Sequence, residues 1–160
     1  MKRKITILTI AFLSSMLMYA NAFAAATGRC GDSITWTLDD SGNLTLSGSG
    51  EMWNHGYVTS PFKDYEIRKA TVKYGITSIG ESAFYLCSGL SKITSLAEIP
   101  PVCGSGVFDG VNKTNCKLIV PIVSVIAYKQ AEVWNEFSNI KGFSGVEVTV
   151  ADKTRKIVVE

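Results

Sequence analysis

The chain has 160 residues, and its 16 basic and 14 acidic residues give a net charge of +2. Lys2, Arg3 and Lys4 precede an apolar run, from Ile5 to Met18, that is followed by small residues. This order is typical of a secretory signal peptide, which we assign to residues 1–24. Its removal would leave 13 basic against 14 acidic residues, a net charge of about −1. Such a balance provides no basic field for nucleic acid, and no nucleic-acid partner is expected.

The part that remains, roughly 136 residues, is long enough to bury one ordinary core. It contains no second apolar run of the roughly 20 residues that a membrane-spanning helix needs. We therefore expect no transmembrane helix in the mature chain. We expect an exported protein that resides in the periplasm, on the outer cell surface or outside the cell.

The first predicted element is a β-hairpin. Apolar residues occupy alternate positions on both sides of the turn-rich segment 39–43, namely Ile34, Trp36 and Leu38 before it, and Leu44 and Leu46 after it. Apolar residues at every second position on both sides of a turn predict two paired strands. The glycines and aromatic residues between Gly48 and Asp64 favour a packed loop. We assign residues 25–66 to an N-terminal β-hairpin cap and loop.

The middle of the chain repeats itself. Residues 67–71 align with residues 90–94 at a shift of 23, and Ala83-Phe84 aligns with Val107-Phe108 at a shift of 24. A period in the low twenties is typical of leucine-rich repeats, in which each unit adds one short strand to a parallel ladder. Ala70, Ile93 and Leu118 should then lie side by side on adjoining parallel strands.

Each coil of such a ladder must bury its apolar side under the next coil, because one coil alone cannot bury it. This requirement predicts a set of inward-facing residues: Ile76, Ile79, Ala83, Phe84, Leu86 and Leu90.

A closing element is predicted after Pro121. Ser124 can cap a helix whose Tyr128, Ala131 and Trp134 fall on one face, and this helix would cover the last coil. Ile140 is the candidate for one more strand. We assign residues 67–143 to a leucine-rich-repeat unit with a C-terminal capping helix. Residues 144–160 alternate again, which predicts a C-terminal β tail or the start of a truncated domain.

The sequence thus predicts an α/β or mostly β fold: a short right-handed leucine-rich-repeat solenoid with an N-terminal β-hairpin cap and a C-terminal helix cap. The segment ITSIGESAFYLCSGL, residues 76–90, closely resembles the repeat of BspA-like leucine-rich-repeat proteins. The flanks resemble the opening hairpin of such proteins, over residues 30–50, and their closing strand and helix, over residues 118–134.

This resemblance covers roughly residues 30–140 and implies a secreted or cell-surface protein, commonly of the Bacteroides group. It also implies adhesion to host proteins or to other cells. The chain departs from the longer adhesins of the family in having only about two full repeats between its caps. The family offers no catalytic residues that could be transferred to this sequence.

Catalytic and metal-binding patterns are weak in this sequence. His55 is the only histidine, and none of the four cysteines lies in a recognisable nucleophile motif. The cysteines also lack the close spacing of a zinc site, and no glycine motif for phosphate is present. We therefore predict a protein that is not an enzyme, with no cofactor and no metal. A thiol hydrolase that uses His55 remains a remote alternative.

The candidate binding surface is the outward side of the ladder. Strand residues alternate between the two faces of a sheet, so six residues should project in rows: Lys69, Thr71, Lys92, Thr94, Lys117 and Ile119. Three lysines in one column would make a mildly basic strip for an acidic ligand. The competing interpretation is a solvated face on which the charges only maintain solubility.

The cysteines leave a second open question. Cys103 and Cys116 enclose a Gly-rich loop and form a candidate disulfide, which suits an oxidising compartment. Cys87 is interpreted as a small buried apolar residue in a turn of the repeat.

Two functional hypotheses follow from these patterns. The first is an exported module that binds a protein partner, either a host matrix protein or a bacterial envelope protein. The second is a small structural component of the envelope that pairs with another subunit through its terminal β edges.

Overall fold

The computed structural model describes residues 26–144. Ten strands form two sheets: β1 (Ala26–Arg29), β2 (Ile34–Leu38), β3 (Asn43–Gly48), β4 (Gly50–Glu51), β5 (Lys69–Val72), β6 (Ile76–Ile79), β7 (Lys92–Ser95), β8 (Val102–Cys103), β9 (Lys117–Pro121) and β10 (Asn139–Phe143). The same range contains one α-helix, α1 (Val125–Gln130), and three short 3-10 helices at Tyr57–Thr59, Ile122–Ser124 and Trp134–Glu136. The predicted signal peptide and the predicted β tail after residue 144 lie outside the described residues.

The larger sheet has seven strands in the order β1-β2-β3-β5-β7-β9-β10. Its first three strands are antiparallel, and the strands from β3 onward are parallel. The predicted hairpin is confirmed: in its turn Asp39 Oδ1 accepts hydrogen bonds from the backbone N–H groups of Ser41 and Asn43, both at 2.9 Å. Gly42 in this turn has a φ of 76°, a left-handed conformation that glycine adopts without strain.

The predicted parallel register is also confirmed. Ala70 pairs with Ile93, and Ile93 pairs with Leu118. The column extends in both directions, because Leu44 pairs with Ala70 and Ile140 pairs with Leu118. The hairpin and the repeat strands therefore share one continuous sheet, and Ile140 does lie on a further strand.

The smaller sheet was not anticipated. It contains three parallel strands in the order β4-β6-β8, and each strand has only two to four residues. Strands this short carry too few residues to establish a period-two pattern. Among residues 26–144 the regular secondary structure is mostly β-strand, with few helices.

Aromatic rings form a column inside the fold. Phe62 lies 5.2 Å from Phe84, Phe84 lies 5.4 Å from Phe108, and Phe108 lies 5.2 Å from Phe137, measured between ring centroids. We call these four rings the phenylalanine column. All four side chains are buried, so the rings pack on one another inside the fold.

The capping helix is shorter than the sequence predicts. Helix α1 ends at Gln130, Ala131 is extended, and Trp134 lies in a separate 3-10 helix. Ser124 is buried and makes no side-chain capping hydrogen bond. The chain leaves the helix early and Trp134 Nε1 donates to the Pro101 carbonyl at 2.7 Å, a partner that the periodicity of the sequence could not reveal.

The assignment of Leu86 to the interior is wrong. Its side chain is 60% exposed, and its backbone is left-handed with a φ of 58°. The turn containing Leu86 stacks on the next one, where the equivalent position is Gly110 with a φ of 85°. Leu86 N–H donates to the Asp109 carbonyl at 2.8 Å, and this tight turn points the side chain outward. The other five predicted inward residues are buried.

Candidate binding face

The three predicted lysines lie in register on adjacent strands. Lys69 of β5 pairs with Lys92 of β7, and Lys92 pairs with Lys117 of β9. Neighbouring strands are about 4.8 Å apart in a sheet, so the three backbone positions form a straight line at that interval. Asn43 and Asn139 occupy the same row on the flanking strands. We call Lys69, Lys92 and Lys117 the lysine column.

Strand alternation explains why these lysines point outward. In β5, β7 and β9 the first residue is exposed, the second is buried, and the third is half-buried. The buried second residues are Ala70, Ile93 and Leu118, which lie in the core. Because successive side chains of a strand point to opposite faces, burial of this column forces the lysines to the solvent side.

The other predicted face residues lie one row away. Thr71 pairs with Thr94, and Thr94 pairs with Ile119. All three are half-buried. The same row continues onto the hairpin, where Thr45 pairs with both Thr71 and Thr37. Thr27 follows on β1 by pairing with Thr37.

Repeat alignment alone could not find these hairpin threonines, because the hairpin is not a repeat unit. The alternation Ile34-Thr35-Trp36-Thr37-Leu38 was the available signal: it placed Thr37 on the exposed side of β2 without identifying the neighbouring strand.

The three lysines of the column form no ion pair among residues 26–144. The ion pairs among residues 26–144 join Lys63 to Asp64, Arg68 to Glu66, and Lys113 to Glu136. Within that range, Lys69, Lys92 and Lys117 are in none of them. Hydrogen bonds from Asn43, and to a smaller extent the charge of Lys69, lower the pKa of the Asp39 carboxyl at the margin of the face. The face thus presents three aligned positive charges.

The surroundings of His55 and of the four cysteines favour the uncharged forms of these side chains. The backbone N–H of His55 donates to the Glu81 carbonyl at 3.1 Å, and the imidazole Nε2 is buried without a hydrogen-bond partner. Desolvation lowers the pKa of His55, which favours the neutral ring. Burial raises the pKa values of Cys30, Cys87 and Cys103 to about 12 and that of Cys116 to about 11. A thiol with so high a pKa is a poor nucleophile at neutral pH.

Cys103 and Cys116 are not joined in this structure. All four cysteines are free thiols, so the proposed pairing is not formed. The sequence spacing did not reveal their positions: Cys103 ends β8 of the small sheet, and Cys116 directly precedes β9 of the large sheet. Cys87 is buried, which confirms its interpretation as a small core residue.

Among residues 26–144, no group of three or more His, Cys, Asp or Glu residues is arranged to hold a metal ion. No helix in that range is long and apolar enough to cross a membrane.

The chain is similar to a solved bacterial structure. A crystal structure of a leucine-rich repeat protein from Eubacterium ventriosum ATCC 27560 superposes with a TM-score of 0.52 and 31% sequence identity. The match covers 59% of this chain and spans only 28% of the other one. No protein-family model matches the chain, and no curated protein does.

The parallel strands and the similarity to this solved structure indicate the class of fold. The chain has a mostly β fold that resembles bacterial leucine-rich repeats, with parallel strands that recur at a period in the low twenties.

Proposed function

We propose that this chain is an exported, non-catalytic module of the BspA-like type that binds a protein partner at the cell surface. Its coils would form a short right-handed solenoid, and the lysine column would contact an acidic segment of the partner. The single observation that carries the proposal is the alignment of Lys69, Lys92 and Lys117 on one exposed face.

Charge and rigidity both favour this use of the face. Three adjacent like charges repel one another, and an acidic ligand would remove that repulsion on binding. The side chains project from a hydrogen-bonded sheet whose opposite surface is core, so the ligand would meet a preorganised backbone. Leucine-rich-repeat ladders are extended surfaces that commonly serve binding rather than catalysis.

The proposal is tested with the mature protein and poly-L-glutamate as the probe. Changing Lys69, Lys92 and Lys117 together to glutamate should weaken binding at least tenfold, because attraction becomes repulsion. The affinity of the unchanged protein should also fall as salt rises from 50 to 200 mM, as expected for charge pairing at a solvent-exposed face.

A matched control changes Lys63, Lys113 and Lys129 to glutamate. These lysines lie off the ladder strands, and the net charge changes by the same amount. Lys63 is in an exposed ion pair and Lys113 in a partly exposed one, and such pairs contribute little to stability. Equal losses in both triple variants, or no binding of poly-L-glutamate by the unchanged protein, would reject the lysine column as the binding site.

Export is tested separately by fractionating cells that produce the full chain. A product that retains residues 1–24 in the cytoplasm would contradict the signal peptide and, with it, the surface location.

A further inference from the structure

An apolar patch is exposed at the carboxyl end of the described part. Ile122 is 59% exposed, Val123 is 78% exposed, and Ile126 is 70% exposed. Residues three and four apart on a helical segment are neighbours, so these three side chains form one surface. Ser124 and Tyr128 on the other side of the same segment are buried against the core. We call Ile122, Val123 and Ile126 the aliphatic patch.

The patch lies where the described chain ends. In β10, Gly142 packs so closely on Ile122 that a Cβ atom at position 142 would lie 2.8 Å from the Ile122 Cα. Phe143 is in register with Pro121, the residue before the patch. Strand β10 is also the last strand of the large sheet, and its outer edge has no partner among residues 26–144.

The sequence continues for sixteen residues beyond this point. Val146, Val148 and Val150 alternate with polar residues, and Ile157, Val158 and Val159 form a second apolar group. Three acidic and three basic residues balance one another in this segment. An extended chain of sixteen residues can reach about 50 Å, so length does not prevent contact with the patch.

We propose that residues 145–160 bind the aliphatic patch of their own chain. The patch needs an aliphatic occupant, because an exposed group of three β-branched side chains is unfavourable in water and marks an interaction surface. The segment that begins three residues after Gly142 supplies such side chains at very high effective concentration, since it is covalently tethered beside the patch. This inference is independent of what the lysine column binds.

A proximity experiment on the full chain tests the proposal. Ile126 is changed to cysteine together with Val146, Val148 or Val150, one at a time, and the purified protein is oxidised mildly. At least one pair should form an intramolecular disulfide, seen as a monomer whose mass falls by two hydrogens. The four native thiols are poorly reactive competitors, because burial raises their pKa values to about 11 or 12.

The matched control places the first cysteine at Val58, which is 80% exposed on the Tyr57–Thr59 helix. Its pairing with the same tail positions should be at least tenfold slower. A second measurement uses hydrogen exchange: changing Val123 and Ile126 to aspartate should accelerate exchange of the amides of residues 146–150 at least tenfold.

Three outcomes would overturn the proposal. One is the absence of a disulfide with every tail position, and another is equal cross-linking from Val58. The third is a disulfide found only in dimers, which would identify a second copy as the occupant of the patch.

Discussion

The phenylalanine column and the lysine column both follow from the repeat of parallel strands, yet they have opposite energetic consequences. Inside the fold, Phe62, Phe84, Phe108 and Phe137 make ring contacts of 5.2 to 5.4 Å between centroids. On the outer face, three lysines are brought together with no acid paired to them in the described part of the chain. A repeat period thus sets only the geometry of a column, whereas the side chains decide whether the column stabilises the fold or remains available to a ligand.

Removing a ring from the phenylalanine column should have the largest effect on stability. Phe108 is buried and its ring contacts those of Phe84, Trp134 and Phe137. Changing Phe108 to alanine should lower the free energy of unfolding by about 3–5 kcal/mol, because it removes apolar burial and leaves a cavity. Urea denaturation of the two proteins measures the difference. A loss below about 1 kcal/mol would mean that the coils do not depend on this column.

Tyr128 gives a smaller but more specific test of the same interior. Its buried hydroxyl donates to Ser95 Oγ at 2.7 Å or to the Ala97 carbonyl at 3.0 Å, and so joins the helix to β7 and the loop that follows it. Changing Tyr128 to phenylalanine should cost about 1–3 kcal/mol, since it leaves a buried acceptor unsatisfied. Thermal or urea unfolding near pH 7 measures this loss, and changing exposed Tyr74 to phenylalanine is the matched control.

Tyr128 should also make the free energy of unfolding depend on pH. Burial raises the pKa of Tyr128 to about 12, above the ordinary value of 10.0. The folded state therefore retains the proton longer than the unfolded state does, and this contribution is present below pH 10 and is lost as pH rises toward 12. The stability of the unchanged protein should fall more steeply across that interval than the stability of the phenylalanine variant. Parallel slopes would contradict the assigned burial of the hydroxyl.

The positions of the residues in both columns could largely be predicted from the sequence. The hairpin, the parallel register of Ala70, Ile93 and Leu118, and the alignment of the lysines all follow from period two and from a repeat in the low twenties. Such patterns report which residues share a column, because burial on one face imposes the same alternation on every strand.

Features set by long-range packing were not accessible. The small sheet depends on strands too short to carry a pattern, and the early end of α1 accompanies a hydrogen bond between Trp134 and the distant Pro101. Leu86 was misplaced because an apolar residue in a repeat normally faces inward, whereas its left-handed backbone turns it out.

Leu86 provides a test in which a substitution should stabilise the fold. A left-handed backbone costs a residue with a Cβ atom roughly 1–2 kcal/mol, and the exposed leucine recovers little of this by burial. Changing Leu86 to glycine should therefore raise the free energy of unfolding by about 0.5–1 kcal/mol, after the larger backbone entropy of glycine in the unfolded chain is deducted. Denaturant unfolding measures the gain.

Gly110 is the matched control for Leu86. Its φ is 85°, and a Cβ atom there would lie 3.1 Å from the Leu86 Cα. Changing Gly110 to alanine should destabilise the protein. If both substitutions changed stability in the same direction, the equivalence of these two turn positions would be refuted.

The smallest expected effect concerns the lysine column and separates it most clearly from the phenylalanine column. Lys92 lies between Lys69 and Lys117, so changing it to glutamine removes two adjacent repulsions at once. Like charges directly opposite on neighbouring strands destabilise a sheet by roughly 0.2–1 kcal/mol, so the variant should be slightly more stable in 20 mM salt. The gain should disappear in 1 M salt, where the screening length is about 3 Å.

Changing Lys129 to glutamine should show neither effect, because Lys129 lies on α1 away from the column. Higher stability combined with weaker binding of poly-L-glutamate would mean that the protein retains Lys92 for recognition. Lower stability at low salt would instead show that the lysine column stabilises the fold, as the phenylalanine column does.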